Sequence, residues 1–467
     1  KIGEIEMDTI KKKKACKMPH GYVVIFAILL FVSFMTYLIP AGEYLRETNT
    51  AGQEVVIPDS FGFIDKTPVP FWEIPNYIMK SFTKQADIIF GILIVGAGLE
   101  VLLSTGMFHA FCNRLSKACS GKEKWFIPLF LLLFASIGIT QSTNKFIGFT
   151  PLGVMLAATL GYDAIMGVAI VMLGIGIGFS SGIFAATTAV AQGLVGLPAY
   201  SGISMRIVAF IVLYIITVFY LICYGERCKK DQTKSAIYGV PDIKQFDVND
   251  MDTKVEKRHY LVLIVFLASF AVLIYGCLKF GWTLQQNAII FMWMGILSGL
   301  VYGFSPSKIA SEFVRGAKGM ISAALIVGLG AACTLIMDEA NILDTVVMGM
   351  TLTMDYLPTL LKAPAMLIIN MVASVFVTSG TGQAAVVMPI LAPVADLSDI
   401  SRQILVLSYR LGDGICGYVQ PHGGSLMPFI AAAAIPYDRW MKFFGKLWGF
   451  WVGAACLIMV FCQIIGY

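Results

Sequence analysis

Long apolar stretches alternate along the chain with short polar interruptions. About 20 consecutive apolar residues are needed for a helix to cross the hydrocarbon core of a bilayer. Residues 22–40, 203–223, 261–280 and 447–465 are the clearest such stretches. The pattern predicts crossings near residues 21–40, 88–108, 163–198, 203–224, 259–279, 286–304, 318–337, 401–436 and 440–465. Two further apolar stretches, 126–161 and 362–398, have small polar centres: Thr140-Gln141-Ser142-Thr143-Asn144-Lys145 in the first, Thr378-Ser379-Gly380-Thr381-Gly382-Gln383 in the second. Backbone that leaves the helix at membrane depth is tolerated only inside protein or beside a water-filled cavity. Both stretches are therefore expected to be re-entrant hairpins whose tips meet near the midplane.

The two hairpin segments resemble each other. An offset of 238 carries Ala135, Ser136, Thr140, Thr143 and Pro151 onto Ala373, Ser374, Thr378, Thr381 and Pro389. The same offset carries Leu173-Gly174, Gly176-Ile177 and Pro198 onto Leu411-Gly412, Gly414-Ile415 and Pro436. Upstream, Ile94-Val95-Gly96-Ala97-Gly98 matches Ile326-Val327-Gly328-Leu329-Gly330 after a short insertion. The expected fold is an all-α polytopic membrane protein of two inverted repeats, each with a re-entrant hairpin and a broken helix. Its parts are a cytosolic segment 1–20, a first repeat 21–224, a cytosolic linker 225–258 and a second repeat 259–467. The glycine-rich runs 174–182 and 412–417 are where the helices are expected to break, because glycine is a poor helix former. Close helix packing is the other use of such glycines.

Charge orients this arrangement. Basic residues mark cytosolic loops. They crowd the N-terminal segment, 114–124, 227–258, 308–318 and 439–446, whereas 41–65 is acidic and expected outside. The N-terminus then lies inside and, after nine crossings, the C-terminus outside. Lys11 to Lys14 resemble the start of a signal peptide, but 22–40 is too long for its core and no cleavage site follows. Of the whole chain only 13% is charged, against about 25% in a soluble protein, and no stretch is long enough for a soluble domain. The net charge of +5 sits in loops and reports orientation rather than nucleic-acid binding. Ten cysteines show no paired spacing and read as reduced, packed thiols.

Several local motifs resemble one family. They are Met18-Pro19, Ile39-Pro40-Ala41-Gly42, Val56-Ile57-Pro58-Asp59-Ser60-Phe61, Leu160-Gly161-Tyr162-Asp163, Val190-Ala191-Gln192-Gly193 and Gly196-Leu197-Pro198. On these the chain resembles the YfcC-like branch of the C4-dicarboxylate anaerobic carrier (DcuC) family, within the ion transporter superfamily, over almost its whole length. The resemblance implies substrate binding between the hairpin tips, elevator-type alternating access, and a homodimer in the bacterial inner membrane. For the branch it implies amino-acid transport, including basic amino acid exchange such as arginine for ornithine. Many members carry an acidic Gly-Glu-Glu tip on the first hairpin. Here Ser142-Thr143-Asn144-Lys145 puts a cation there instead, which counts against a dibasic substrate.

The candidate substrate-binding residues are Gln141, Ser142, Thr143, Asn144 and Lys145 in the first tip, with Thr378, Ser379, Thr381 and Gln383 in the second. Their hydroxyl, amide and ammonium groups can hold a carboxylate or replace the water around an ion. Ionisable residues inside a membrane are costly and commonly functional. Asp413 and Glu100, with Ser180, Ser181 and Gln420, are candidates for coupling Na⁺ or H⁺, and no other cofactor or metal is expected. Arg410 lies three residues before Asp413, which places both on one helix face, so an ion pair is the alternative reading. Lys145 is expected to pair with a substrate carboxylate, or else with a structural partner. His422 reads as a packing residue near a vestibule.

A pump is excluded because no GxxxxGK[ST] loop exists in the sequence. An enzyme would need a nucleophile–base pair or metal ligands at depth, which the four histidines do not offer. A channel would suit two hairpin tips but not the broken helices. The expected function is secondary transport of a small carboxylate-bearing metabolite, most simply an amino acid, with a C4-dicarboxylate as the alternative. For the topology, a cysteine at Ser120 is expected to react with impermeant thiol reagents only from the cytosolic face, and one at Thr48 only from the outer face. Labelling of both from one side would overturn the predicted path.

Overall fold

An α-helix satisfies its backbone polar groups internally, as apolar surroundings demand, and the computed structural model is built almost entirely of helices. It describes residues 21–48, 54–57, 60–107, 110, 123–240, 256–280, 282, 284–351, 357–398 and 400–467. Segment 1–20, most of the 114–124 basic cluster with Ser120, and linker residues 241–255 lie outside the described residues.

In chain order the helices are α1 (Gly21–Leu38), α2 (Ile74–Lys84), α3 (Ala86–Ser104), α4 (Phe126–Gly138), α5 (Thr150–Thr159), α6 (Ala164–Ser181), α7 (Ala186–Leu194) and α8 (Ile203–Lys230). They continue with α9 (Lys257–Phe280), α10 (Leu284–Tyr302), α11 (Pro306–Glu339), α12 (Leu343–Thr351), α13 (Thr359–Phe376), α14 (Gly380–Leu397), α15 (Arg402–Cys416), α16 (Leu426–Ala432) and α17 (Tyr437–Ile465). Among the described residues six runs are long and apolar enough to cross a membrane: Ala86–Ser104, Ala164–Leu194, Ile203–Lys230, Pro306–Glu339, Thr359–Phe376 and Tyr437–Ile465. The chain is a multi-pass membrane protein.

Local chemistry sets the helix starts. Asp163 caps α6 by accepting a hydrogen bond from the Met166 N–H, and Ser401 caps α15 through the Ile404 N–H. Ser305 and Ser379 do the same for α11 and α14. Such short oxygen-bearing side chains satisfy donors that the first helical turn leaves unpaired. Both apolar stretches with polar centres leave the α-helix there. Between α4 and α5 lies a 3-10 turn, Thr143–Phe149, and between α13 and α14 the backbone is extended at Val377 and Ser379.

The glycine runs behave differently from expectation. Helix α6 continues through Gly174, Gly176 and Gly178 and stops only at Gly182, whose φ of 66° is the left-handed conformation glycine adopts freely. Helix α15 likewise runs through Gly412 and Gly414, and the break falls at 417–425. The internal glycines instead permit close approach. A Cβ on Gly178 would lie 2.1 Å from the Ala135 carbonyl oxygen, and one on Gly176 would lie 2.6 Å from the Tyr418 ring. Two further departures are small. Residues 225–230 of the expected linker extend α8, and the 41–63 loop carries two antiparallel strand pairs, Gly42–Glu43 with Gly62–Phe63 and Arg46–Thr48 with Glu54–Val56. Helix α2, amphipathic and opened by Pro75, was not predicted.

Helices α6 and α15 cross at the centre, with α4 and α5 packed on α6 and α13 on α15. Burial follows this arrangement: 89% of the apolar window in Ala164–Leu194 is buried, but only 22% in α8 and 28% in α17. Helix α3 is pressed between α10 and α11. There Gly98 faces the Phe291 backbone, where a Cβ would come within 2.1 Å of its oxygen. Without a hydrophobic drive between helices in lipid, close packing of this kind holds them together. Gly98→Val is therefore expected to lower the thermal unfolding midpoint of the purified protein, at a cost of about 1–3 kcal/mol or more. Gly449→Val, where nothing lies within 4 Å, is expected to leave it unchanged. Equal midpoints for both variants would refute the packing role.

Candidate functional site

The two tips and the second helix break converge on one cavity of about 330 Å³, which Phe179 and Thr187, on either side of the first break, also line. Ser142, Thr143 and Asn144 enter it from the first tip, and Thr378, Ser379, Gly380 and Thr381 from the second. Asp413 and Gly414 come from the end of α15, and Gln420, His422 and Ser425 from the break that follows. Thr143 and Thr381, related by the 238-residue offset, both line it.

Hydrogen bonds knit these pieces together. The Thr143 and Tyr418 hydroxyls lie 2.8 Å apart, and Ser425 Oγ donates to Asn144 Oδ1 at 2.6 Å. The first tip is thus fastened to the second break. On the other side, Gln420 Nε2 donates to Ser374 Oγ at 2.9 Å, and His422 Nε2 donates to the Val375 carbonyl at 2.6 Å, which fixes its proton on that nitrogen. A Cβ on Gly330 would lie 2.2 Å from the His422 carbonyl oxygen, so α11 rests directly on this break.

Among the described residues Asp413 is the only carboxylate lining the cavity, and no lysine or arginine lines it. Its Oδ2 accepts from Arg410 Nη1 at 2.8 Å, while Arg410 Nη2 donates to the Phe179 carbonyl at 2.5 Å near the C-terminus of α6. Arg410 is fully buried and its guanidinium lies 4.4 Å over the Phe179 ring. The ion-pair reading of Arg410 and Asp413 thus describes their geometry, yet the carboxylate still borders open space. It lies close to the start of α14, where a Cβ on Gly380 would be 3.1 Å from Asp413 Oδ2. The Gly380 carbonyl in turn accepts from the Tyr409 hydroxyl at 2.6 Å. The cavity therefore has an acidic group on one side and, beside it, the N-terminus of an 18-residue helix. A helix N-terminus offers unpaired N–H groups and a partial positive charge.

Of the residues singled out from sequence, Ser142, Thr143, Asn144, Thr378, Ser379, Thr381, Asp413 and Gln420 line the cavity. Six do not. Lys145 turns away, donating to Gln141 Oε1 at 2.7 Å and to the Trp282 carbonyl at 3.0 Å, so Gln141 is occupied with it. The 3-10 turn that starts at Thr143 rotates these side chains off the cavity side. Gln383 is buried inside α14 and donates to the Asn370 carbonyl. Ser180 and Ser181 lie one layer behind, Ser180 pressed against Gly414 and Ser181 bonded to the Gly178 carbonyl. Glu100 is elsewhere, on α3 against α11, in a salt bridge with Arg315 at 2.8 Å. Sequence reasoning missed Gln85, Thr187, Ser374, Tyr418 and Ser425 as lining residues. The repeat offset pairs Thr187 with Ser425 and was signal enough to find both.

Comparison with known proteins adds the family. A family model described as C4-dicarboxylate anaerobic carrier matches residues 18–464. YfcC of Escherichia coli strain K12, provisionally named a basic amino acid antiporter, is 28% identical over 502 residues covering 98% of each chain. An uncharacterised protein of Haemophilus influenzae is 26% identical over 503 residues covering 97% of each. The solved structure of Neisseria gonorrhoeae MtrF, described among antimetabolite efflux pumps, aligns over 95% of each chain at 15% identity. Its TM-score of 0.42 is too low to establish a shared fold. With the family model spanning nearly the whole sequence, this chain is a membrane transporter that belongs to the C4-dicarboxylate anaerobic carrier family and is YfcC-like.

Proposed function

We propose that the chain is a secondary carrier for zwitterionic amino acids, bound in the cavity between residues 142–144 and 378–381. The observation that carries this reading is the juxtaposition of Asp413 with the N-terminus of α14. A substrate carboxylate sits at that N-terminus and on the Ser379 and Thr381 hydroxyls, as anions do at helix starts. The substrate ammonium faces Asp413. A cavity of about 330 Å³ lies within the range of small-molecule sites. Arg410 already balances Asp413, so the site favours a ligand of zero net charge over a dicarboxylate, for which no cationic side chain lines the cavity. Basic amino acid exchange is the second reading, favoured by the name of the E. coli relative and by the single acid able to take a side-chain cation.

The architecture we infer is the inverted repeat. The order α3, α4–α5, α6–α7, α8 recurs as α11, α13–α14, α15–α16, α17, with both hairpins re-entrant from opposite sides of a bacterial inner membrane and the N-terminus cytosolic. Alternating access is elevator-like, the hairpins and broken helices moving as one body. Such binding sites between repeats, built from discontinuous helices, are a general solution in secondary transporters. The coupling ion is Na⁺ or H⁺. Ser180 Oγ, Asn370 Oδ1 and Gln383 Oε1 are buried without a hydrogen bond among the described residues, and such oxygens suit a small hard cation.

Two measurements test this. In counterflow from proteoliposomes, neutral and basic amino acids are expected to compete, whereas agmatine, which lacks the carboxylate, and succinate, which lacks the amine, are not. Thr381→Val is expected to weaken competition about fivefold, the worth of one hydrogen bond, and Lys145→Gln to leave the order of competitors unchanged. Succinate competing as well as an amino acid would sink the zwitterion reading. Separately, Asp413→Asn is expected to abolish ion-dependent uptake while leaving protein in the membrane. Full coupling in that variant would confine Asp413 to its pairing with Arg410.

A further inference from the structure

A second cavity, of about 760 Å³, opens where the C-terminal end of α8 meets the N-terminal end of α17. It is far from neutral. Arg227, Lys234, Lys442 and Lys446 line it, and among the described residues no acidic side chain does. Lys442 and Lys446 are four apart on α17 and both exposed, so they share one face. Like charges so placed repel each other mildly unless something anionic sits between them. Lys234 has a long 3.6 Å ion pair with Asp231, whereas Arg227, Lys442 and Lys446 have none among the described residues.

Below this rim the wall is apolar. Ile216, Phe219 and Phe450 line the cavity, with Phe219 71% and Phe450 60% exposed. These exposed rings lie on the two least buried membrane helices, so the wall opens sideways towards lipid rather than inward. From Arg227 to Ile216 is eleven residues of continuous helix, a rise of about 16 Å at ~1.5 Å per residue. That is close to half of the ~30 Å hydrocarbon core. The groove therefore presents a cluster of cations at the level of headgroups and an apolar track one leaflet deep.

We infer that this groove is a binding site for an anionic phospholipid of the leaflet that the basic ends of α8 and α17 face. The chemistry matches both ends of that amphiphile: a phosphate among Arg227, Lys442 and Lys446, and an acyl chain along Ile216, Phe219 and Phe450. A free phosphate would leave the apolar track unfilled, and a zwitterionic lipid would bring an extra cation to a rim already positive. Basic pockets between membrane helices select anionic headgroups by this means. The inference rests on the chain's being a multi-pass membrane protein and is independent of what the central cavity carries.

The test is native mass spectrometry of the full chain, purified in neutral detergent and titrated with phosphatidylglycerol or phosphatidylcholine of identical acyl chains. Wild type is expected to retain phosphatidylglycerol at least about tenfold more tightly, since each basic residue near an anionic headgroup contributes roughly fivefold. The combined variant Arg227→Gln, Lys442→Gln, Lys446→Gln is expected to lose that preference. A control with Lys308→Gln and Lys318→Gln, on α11, is expected to keep it. If the triple variant does not purify as a folded protein, Lys446→Glu alone is expected to weaken phosphatidylglycerol in the same direction. Equal retention of the two lipids by wild type would overturn the proposal, as would an unchanged preference in the triple variant. Displacement of phosphatidylglycerol by glycerol phosphate at matching concentration would overturn it in favour of a free-anion site. Loss of a two-copy species without loss of bound lipid would overturn it in favour of an interface between copies.

Discussion

One buried cation holds the centre of this molecule together. Two membrane helices end inside the protein, and each leaves carbonyls that no intrahelical donor can reach. Arg410 adds a side-chain donor to the Phe179 carbonyl near the end of α6, which the capping Gly182 N–H also reaches, while pairing with Asp413 on its own helix. A guanidinium suits the task because it is always charged and presents donors in a rigid fork. Burying such a pair costs desolvation that its attraction scarcely offsets, but removing one partner leaves an uncompensated charge. Through it α15 is joined to α6 by a charge-assisted hydrogen bond at the point where α6 ends.

Glycine placement makes that meeting close enough. Gly414 lies against Ser180, Gly176 against Tyr418, and Gly138 against the Ile175 carbonyl, each at distances a side chain would forbid. Tyr418 is thereby brought to Thr143, and Ser425 to Asn144. The first tip is bonded to elements of the other half of the chain before any ligand is considered. The cavity they frame is lined by hydroxyl and amide side chains together with apolar ones and is bounded by packed helices on several sides.

Charge is distributed by depth. Inside, a single acid faces the cavity and its compensating base is tucked behind it. Between the ends of α8 and α17 four bases line the second cavity, and among the described residues no acid lines it with them. Glu100 and Arg315 form a third arrangement, a partly exposed pair between α3 and α11, where water lowers the cost of both charges. Depth alone does not decide pairing: Arg206 is as buried as Arg410 but among the described residues reaches only the Gln403 side-chain oxygen, at 3.5 Å.

What could be read from the sequence was whatever depends on neighbours along the chain. Runs of apolar residues anticipated five of the six helices long and apolar enough to cross a membrane among the described residues, the sixth, Thr359–Phe376, falling in an expected hairpin, and the polar centres of 126–161 and 362–398 marked where helices stop. The internal offset brought Thr143 and Thr381 into correspondence, and both reached the cavity. Glycine runs located the breaks only at their C-terminal ends, because the same residue that weakens an isolated helix is what a buried helix needs for close contact, and only the neighbours decide between the two. Lys145 misled for a related reason. A tip residue has one backbone but two sides, and Lys145 directs its ammonium to Gln141 and Trp282 instead of the cavity. Tyr418 and Ser425 went unnoticed because their partners, Thr143 and Asn144, lie 275 and 281 residues away. Which residues could reach membrane depth was written locally, in hydrophobicity and helix ends. Which of them face one another was settled by how the two broken helices dock, and docking depends on shape across the whole chain.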